Sequence, residues 1–336
     1  MKISETEKRL ISLVEFNANE SFSNLDRHLG IKIGSAQGML RSLIDRGVLH
    51  YYPLINPFVL GFINGAFILS LAPESIHRSE DLISYLKVQP EVAWLCELGG
   101  VQQLALNVLT HNQTEMGSFF AKVNHLFPFI SVGRRFALQQ SLTMLGTRYL
   151  YPVGLIPVPV QLANTGARVE IDEIDRKILQ GILTLEHRSG RDLGNQLGLP
   201  STTFNNRLKA LEQKQVIARH LYLVNPAALG WQAFKLVIVL RGTTESLRED
   251  LVRFCQRKEN VTVLIQVIGS WDFELSLEVP ELSVANQIAR ELQVAFSSAI
   301  ASLELLPQGV EHRVSNFPVV GLSNPLRDEK SASVYG

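Results

Sequence analysis

Between Ser201 and Gln213 the chain reads STTFNNRLKALEQ. Phe204, Leu208 and Leu211 fall at i, i+4 and i+7, the spacing of one buried helical face. Thr202, Asn206, Lys209 and Gln213 fall on the opposite face, flanked by Ser201, Thr203, Asn205 and Arg207. Carboxamides on such a face pair bidentately with adenine, and Arg or Lys takes guanine or a phosphate. Arg207 can hold a phosphate or brace the fold. This chemistry is recognition, not turnover. The chain has no G-x-S-x-G, H-E-x-x-H, C-x-x-C, Walker loop or dinucleotide fingerprint. Its eight histidines show no i,i+3 or i,i+4 pair. No catalytic residue, metal or cofactor is therefore expected, and the chain is read as a non-enzyme.

The elements that must position this face are legible around it. Ile174, Ile178, Leu179, Ile182 and Leu183 recur at helical spacing, with Asp172 as N-cap and Asp175 in the first turn. A second helix carries Leu193 and Leu197 and stops at Gly198. Pro200 leaves the start of the third helix open by one residue. Val216 to Leu223 is extended and reads as a wing hairpin. Three helices and a wing are the winged helix-turn-helix pattern. Beyond it, strands at Phe234–Leu240, Val261–Ile268, Trp271–Val279 and from Ala301 alternate with helices at Glu245–Lys258 and Leu282–Phe296. That order, βαββαβ, is the ferredoxin-like unit.

The whole pattern is written twice. ISETEKRLI from Ile3 falls on IDEIDRKIL from Ile171, and NLDRHLGI from Asn24 on DLGNQLGL from Asp192. NPFVLGF from Asn56 falls on NPAALGW from Asn225, and EVAWLCELGG from Glu91 on NVTVLIQVIG from Asn260. The offset is 168 residues early and 169 later, half of the 336-residue chain. The expected class is α+β, two copies of a winged helix-turn-helix plus a ferredoxin-like domain. The expected boundaries are 1–57 and 58–152, a linker over 153–170, 171–225 and 226–318, and a polar tail over 319–336. Pro157, Pro159, Gly154 and Gly166 mark the linker.

These residues resemble the Lrp/AsnC family, the feast/famine transcriptional regulators. The stretches that carry the likeness are IDEIDRKILQGI, LGNQLGLPSTTFNNRLKALEQKQVIARHLYLVNPAALGW and VIGSWDFELSLEV. The resemblance implies binding of double-stranded DNA by the winged helices. It also implies dimerisation and sensing of a small molecule, commonly an amino acid, by the ferredoxin-like domains. The family usually carries one copy per chain, so this chain looks like a fused pair, an intramolecular pseudo-dimer open to further homodimerisation. The family's effector pocket lies at the turn matching Gly269-Ser270-Trp271-Asp272, where Asp272 could meet an ammonium group. Siroheme decarboxylase subunits share the architecture, but the matching strands, QQLALNVLT and WDFELSLEV, carry no histidine. A regulator that binds only a protein partner is the remaining alternative.

The copies are unequal. Gly34 stands opposite Thr202, Gly38 opposite Asn206, Met39 opposite Arg207 and Ala36 opposite Phe204, which leaves Ser35, Gln37 and Arg41 to contact DNA. Residues 171–225 carry eight Lys/Arg and six Asp/Glu, whereas residues 3–57 carry six of each. The second head is expected to be the main reader. In the first copy, Gly100-Val101-Gln102-Gln103 lacks the acid of the sensing turn. Lys+Arg and Asp+Glu both total 32, so no overall basic coat drives binding. Two cysteines, a charged N-terminus and no run of 18 apolar residues point to the cytoplasm, without a membrane.

Overall fold

The computed structural model describes residues 3–155, 157–184 and 190–319. The front head comprises α1 (Glu5–Val14), α2 (Phe22–Leu29) and α3 (Ser35–Asp45), followed by β1 (Leu49–Ile55). Its ferredoxin-like unit runs β2 (Ile63–Leu71), α4 (Ser79–Leu86), β3 (Val92–Leu98), β4 (Leu104–Thr110), α5 (Gln113–Leu126) and β5 (Ser131–Met144). After β6 (Val160–Ala163) comes the rear head, α6 (Glu173–Thr184), α7 (Gly190–Gln196), α8 (Ser201–Gln213) and β7 (Ile217–Val224). The rear unit runs β8 (Gln232–Leu240), α9 (Glu245–Arg257), β9 (Val261–Gly269), β10 (Phe273–Val279), α10 (Leu282–Ala295) and β11 (Ile300–Val314).

Each unit orders its strands as the βαββαβ pattern predicts: β5-β2-β4-β3 in front and β11-β8-β10-β9 behind. The two sheets join edge to edge through β3–β11 and β9–β5, which closes eight strands into a barrel. Closure removes the sheet edges that would otherwise invite aggregation. It also explains why β5 and β11 run longer than expected. The first half of each pairs inside its own unit, and the second half pairs with the other unit. Period-two alternation divides the side chains. Phe67 and Leu69 pack outward under α4 and α5, and Leu236 and Ile238 under α9 and α10. Ala66, Ile68, Val237 and Val267 fill the interior.

Two expectations need correction. Residues 216–223 form no hairpin: β7 is a single strand paired antiparallel with β1 of the other copy. The ribbon is centred on Tyr52 opposite Leu221, equivalent positions of the two copies. Tyr222 and Val224 of β7 therefore complete the front head's core, while Ile55 of β1 joins the rear head's. The segment 153–170 is not a bare linker either. Its β6 adds a strand to β5, with Val160 and Leu162 buried. The expected tail lies, beyond Val319, outside the described residues.

Side chains also fasten the front head to the rear unit. Glu15, at the end of α1, accepts from the Thr147 amide at 2.9 Å and the Tyr151 hydroxyl at 2.6 Å. Between them, Arg148 donates to the carbonyls of Cys255, Lys258 and Val261 and so closes the end of α9. Tyr149 stacks on Trp231 and donates to the half-buried Glu278. Among the described residues, no helix is long and apolar enough to cross a membrane.

Candidate nucleic-acid interface

Helix α8 begins at Ser201, with Pro200 at the N-cap position and no side chain capping its first amides. Proline suits that place, since its fixed φ matches helix entry and its missing N–H costs no bond there. Phe204 and Leu211 are buried, and α8 packs on α6 and α7. Thr202, Asn205, Asn206, Lys209 and Gln213 are exposed, and Ser201 and Thr203 are half-buried beside them. The structure thus brings the expected reading residues onto one outward face. Arg207 braces the fold: its guanidinium lies 2.7 Å from Asp172 and 3.3 Å from Asp175 at the start of α6. Hydrogen bonds from the Asp175 backbone and from Arg207 hold the Asp172 carboxyl below its ordinary range, and the pair keeps Arg207 charged. Of the two roles expected for Arg207, the ion pairs support the brace.

The front helix differs at the end that matters for groove contact. The N-terminal residues of a recognition helix reach the base edges. Helix α3 starts at Ser35, which aligns with Thr203, so it lacks the first two helical residues of α8. Gly34 is not inside the helix, as the alignment implied. It precedes the helix in the left-handed region, at φ 84°, where glycine is favoured. Asp26, buried on α2, accepts from the Gly34 amide at 2.7 Å and from the Ala36 amide at 2.8 Å. A carboxylate thus already occupies the positive end of α3 and opposes an approaching phosphate. Gln37 and Arg41 are exposed, but Gly38 between them offers no side chain.

The residue that sets this difference is Asp26, which the sequence reading passed over. Its counterpart is Gly194, 168 positions on. A Cβ on Gly194 would lie 3.2 Å from the Leu199 carbonyl and 3.4 Å from the Phe204 Cβ. The two exchanges belong together: aspartate over Ala36 in front, glycine under Phe204 behind. That paired change of size was the available signal.

The expected effector turn is corrected by its own hydrogen bonds. Trp271 is 1% exposed, sealed in the barrel, and its Nε1–H donates to Glu274 at 2.9 Å. Glu274 also pairs with the buried Lys235. Asp272 accepts from the Leu240 amide at 2.7 Å. In the front copy Gln103 accepts from the Leu71 amide at the same 2.7 Å, so the acid and the amide do one structural job. Gly269 lets β9 approach β5: a Cβ there would lie 2.4 Å from the Phe136 carbonyl oxygen. The Ser270 amide donates to that oxygen at 2.9 Å. The turn is a joint between the two units, which takes Trp271 out of reach of an effector and commits Asp272 to a backbone amide, while Gly269 and Ser270 are exposed.

Three comparisons bear on this geometry. The family described as winged helix-turn-helix DNA-binding matches residues 171–218, the rear head. The HTH-type transcriptional regulator FL11 of Pyrococcus abyssi is 31% identical over 122 residues, which are 35% of this chain and 78% of that protein. It is therefore under half as long. The leucine-responsive regulatory protein of Salmonella typhimurium is 27% identical over 123 residues, 36% of this chain and 75% of that one. Among solved structures, the siroheme decarboxylase NirDL superposes with a TM-score of 0.60 over 94% of each chain at 13% identity. At that identity the likeness is one of fold.

Proposed function

The chain belongs to the Lrp/AsnC family of HTH-type transcriptional regulators, and from that premise we propose that it reads double-stranded DNA chiefly through α8. The observation that carries the reading is the outward face of Thr202, Asn205, Asn206 and Lys209 on a helix whose first amides have no side-chain cap. Asparagine at such a face reads adenine, lysine reads guanine or phosphate, and the open helix start receives a backbone phosphate. The front head is a weak reader, because its helix start is filled by Asp26. Two covalently joined heads keep one fixed arrangement without needing a partner chain.

Selection of bound sequences from a random duplex pool tests this. The expected result is one dominant half-site, adenine- or guanine-bearing where α8 docks, with a weaker or absent second half-site. Two equal half-sites would contradict the division of labour. Enrichment of no sequence would favour the regulator that binds only a protein partner.

A further inference from the structure

We propose that the front head braces the rear head's reading helix through a hydrogen-bonded relay, Tyr51–His220–Glu212; this rests on the DNA reading of α8 proposed above. The Tyr51 hydroxyl lies 2.5 Å from His220 Nδ1, and His220 Nε2 lies 2.8 Å from Glu212 Oε1. Tyr51 belongs to β1 of the front head, His220 to β7, and Glu212 to the last turn of α8. Tyr51 and His220 are equivalent positions of the two copies, 169 apart, beside the centre of the inter-head ribbon. In a pair of identical chains the same residue would face itself here. Fusion lets a donor face an acceptor.

The neutral imidazole with its proton on Nε2 satisfies both contacts. Burial, with lesser contributions from Tyr222 and Glu212, pushes the Tyr51 phenol up, so it stays an O–H donor. It donates to Nδ1, and the Nε2–H donates to the carboxylate. The front head also grips the strand itself, because the Ala18 amide donates to the His220 carbonyl at 3.0 Å. A carboxylate in the last turn of a helix faces the negative end of the helix dipole, so Glu212 is favoured there only with a donor beside it. Glu212 lies at i+7 from Asn205 and i+3 from Lys209, on the edge of the reading face. Holding it fixes the roll of α8 about its own axis, and with it the aim of Asn206 and Lys209.

The relay runs one way. The front counterpart of Glu212 is Ile44, which has no acceptor, so α3 receives no matching tie from His220. A head with a shortened reading helix thus has a positive role, as the fixed point from which the other helix is aimed.

The test uses the full chain, the selected duplex and three variants: Tyr51→Phe, His220→Phe and the double variant. Each single change should weaken binding about fivefold, the scale of one well-placed hydrogen bond. The double variant should be no weaker than His220→Phe, and melting temperature should hold. Without DNA, the amides of residues 209–213 should exchange hydrogen faster in Tyr51→Phe than in the unaltered chain. Wild-type affinity in Tyr51→Phe together with unchanged exchange overturns the relay, as do additive losses or losses that track melting temperature. Faster exchange in a chain that binds no duplex at all would uphold the relay and sink the DNA reading.

Discussion

The front and rear heads share their core leucines, the buried Leu40 with the half-buried Leu208 and Leu43 with Leu211, yet differ at the start of the third helix. The front helix begins two positions later, behind a left-handed glycine, with the Asp26 carboxylate on its first amides. The rear helix begins at Ser201 with its amides uncapped by any side chain and polar residues outward. On the proposed reading, a duplicated fold keeps its core while one copy gives up the few groups that touch a ligand. The β1–β7 ribbon makes the proposed asymmetry tolerable, because each head is completed by a strand of the other.

The sharpest way to break the comparison is to remove reading groups from each head in turn. Asn206→Ala with Lys209→Ala should lower affinity for the selected duplex about 100-fold or more, the worth of two lost base contacts. Gln37→Ala with Arg41→Ala should cost less than about threefold in the same gel-shift titration. Equal losses would end the asymmetry. Stability should respond in the opposite sense. Asp26→Ala leaves the Gly34 and Ala36 amides without their acceptor and should cost about 1–3 kcal/mol in a denaturant titration, while DNA affinity holds or rises slightly as the start of α3 is freed.

A smaller effect is expected on the axis relating the copies. Arg135 pairs with Glu304, its own counterpart 169 positions on. Glu304→Arg sets like against like and should destabilise by about 1 kcal/mol, since both side chains are partly exposed. Adding Arg135→Glu should restore stability in the same titration; no restoration would show that the pair does not act as a unit.

The smallest effect is a pH dependence contributed by two carboxyls of the rear half. Burial pushes Glu278 and Glu311 up to about 7, and their front counterparts are Leu109 and Leu142. The folded chain holds protons there that an unfolded chain releases near 4.5, so this contribution is present below about pH 4.5 and lost as pH rises to about 7. Melting temperature should therefore fall across that window, and Glu278→Gln should flatten the fall. An unchanged slope in the variant would remove Glu278 from the account.

Much of this was legible in the residues. The duplication, the span of α8, its buried Phe204 and Leu211, and both βαββαβ orders follow from periodicity and punctuation. Long-range partners did not follow. The alternation in β7 shows that it is a strand but not that it pairs with β1 of the other copy. The outer halves of β5 and β11 read as mixed polar segments, because the face they bury exists only once the units join. Asp272 looked like a free acid until Gln103 was seen making the same bond to a backbone amide. Arg207 looked like a phosphate contact because its partners, Asp172 and Asp175, lie more than 30 residues away.

The central claim is that α8 is the main reader of DNA and α3 a weak one. Hydrogen exchange of the full chain with and without its selected duplex tests it most directly. The account predicts strong protection over Ser201–Gln213 and little over Ser35–Asp45. Equal protection of both helices, or protection of α3 alone, would contradict it.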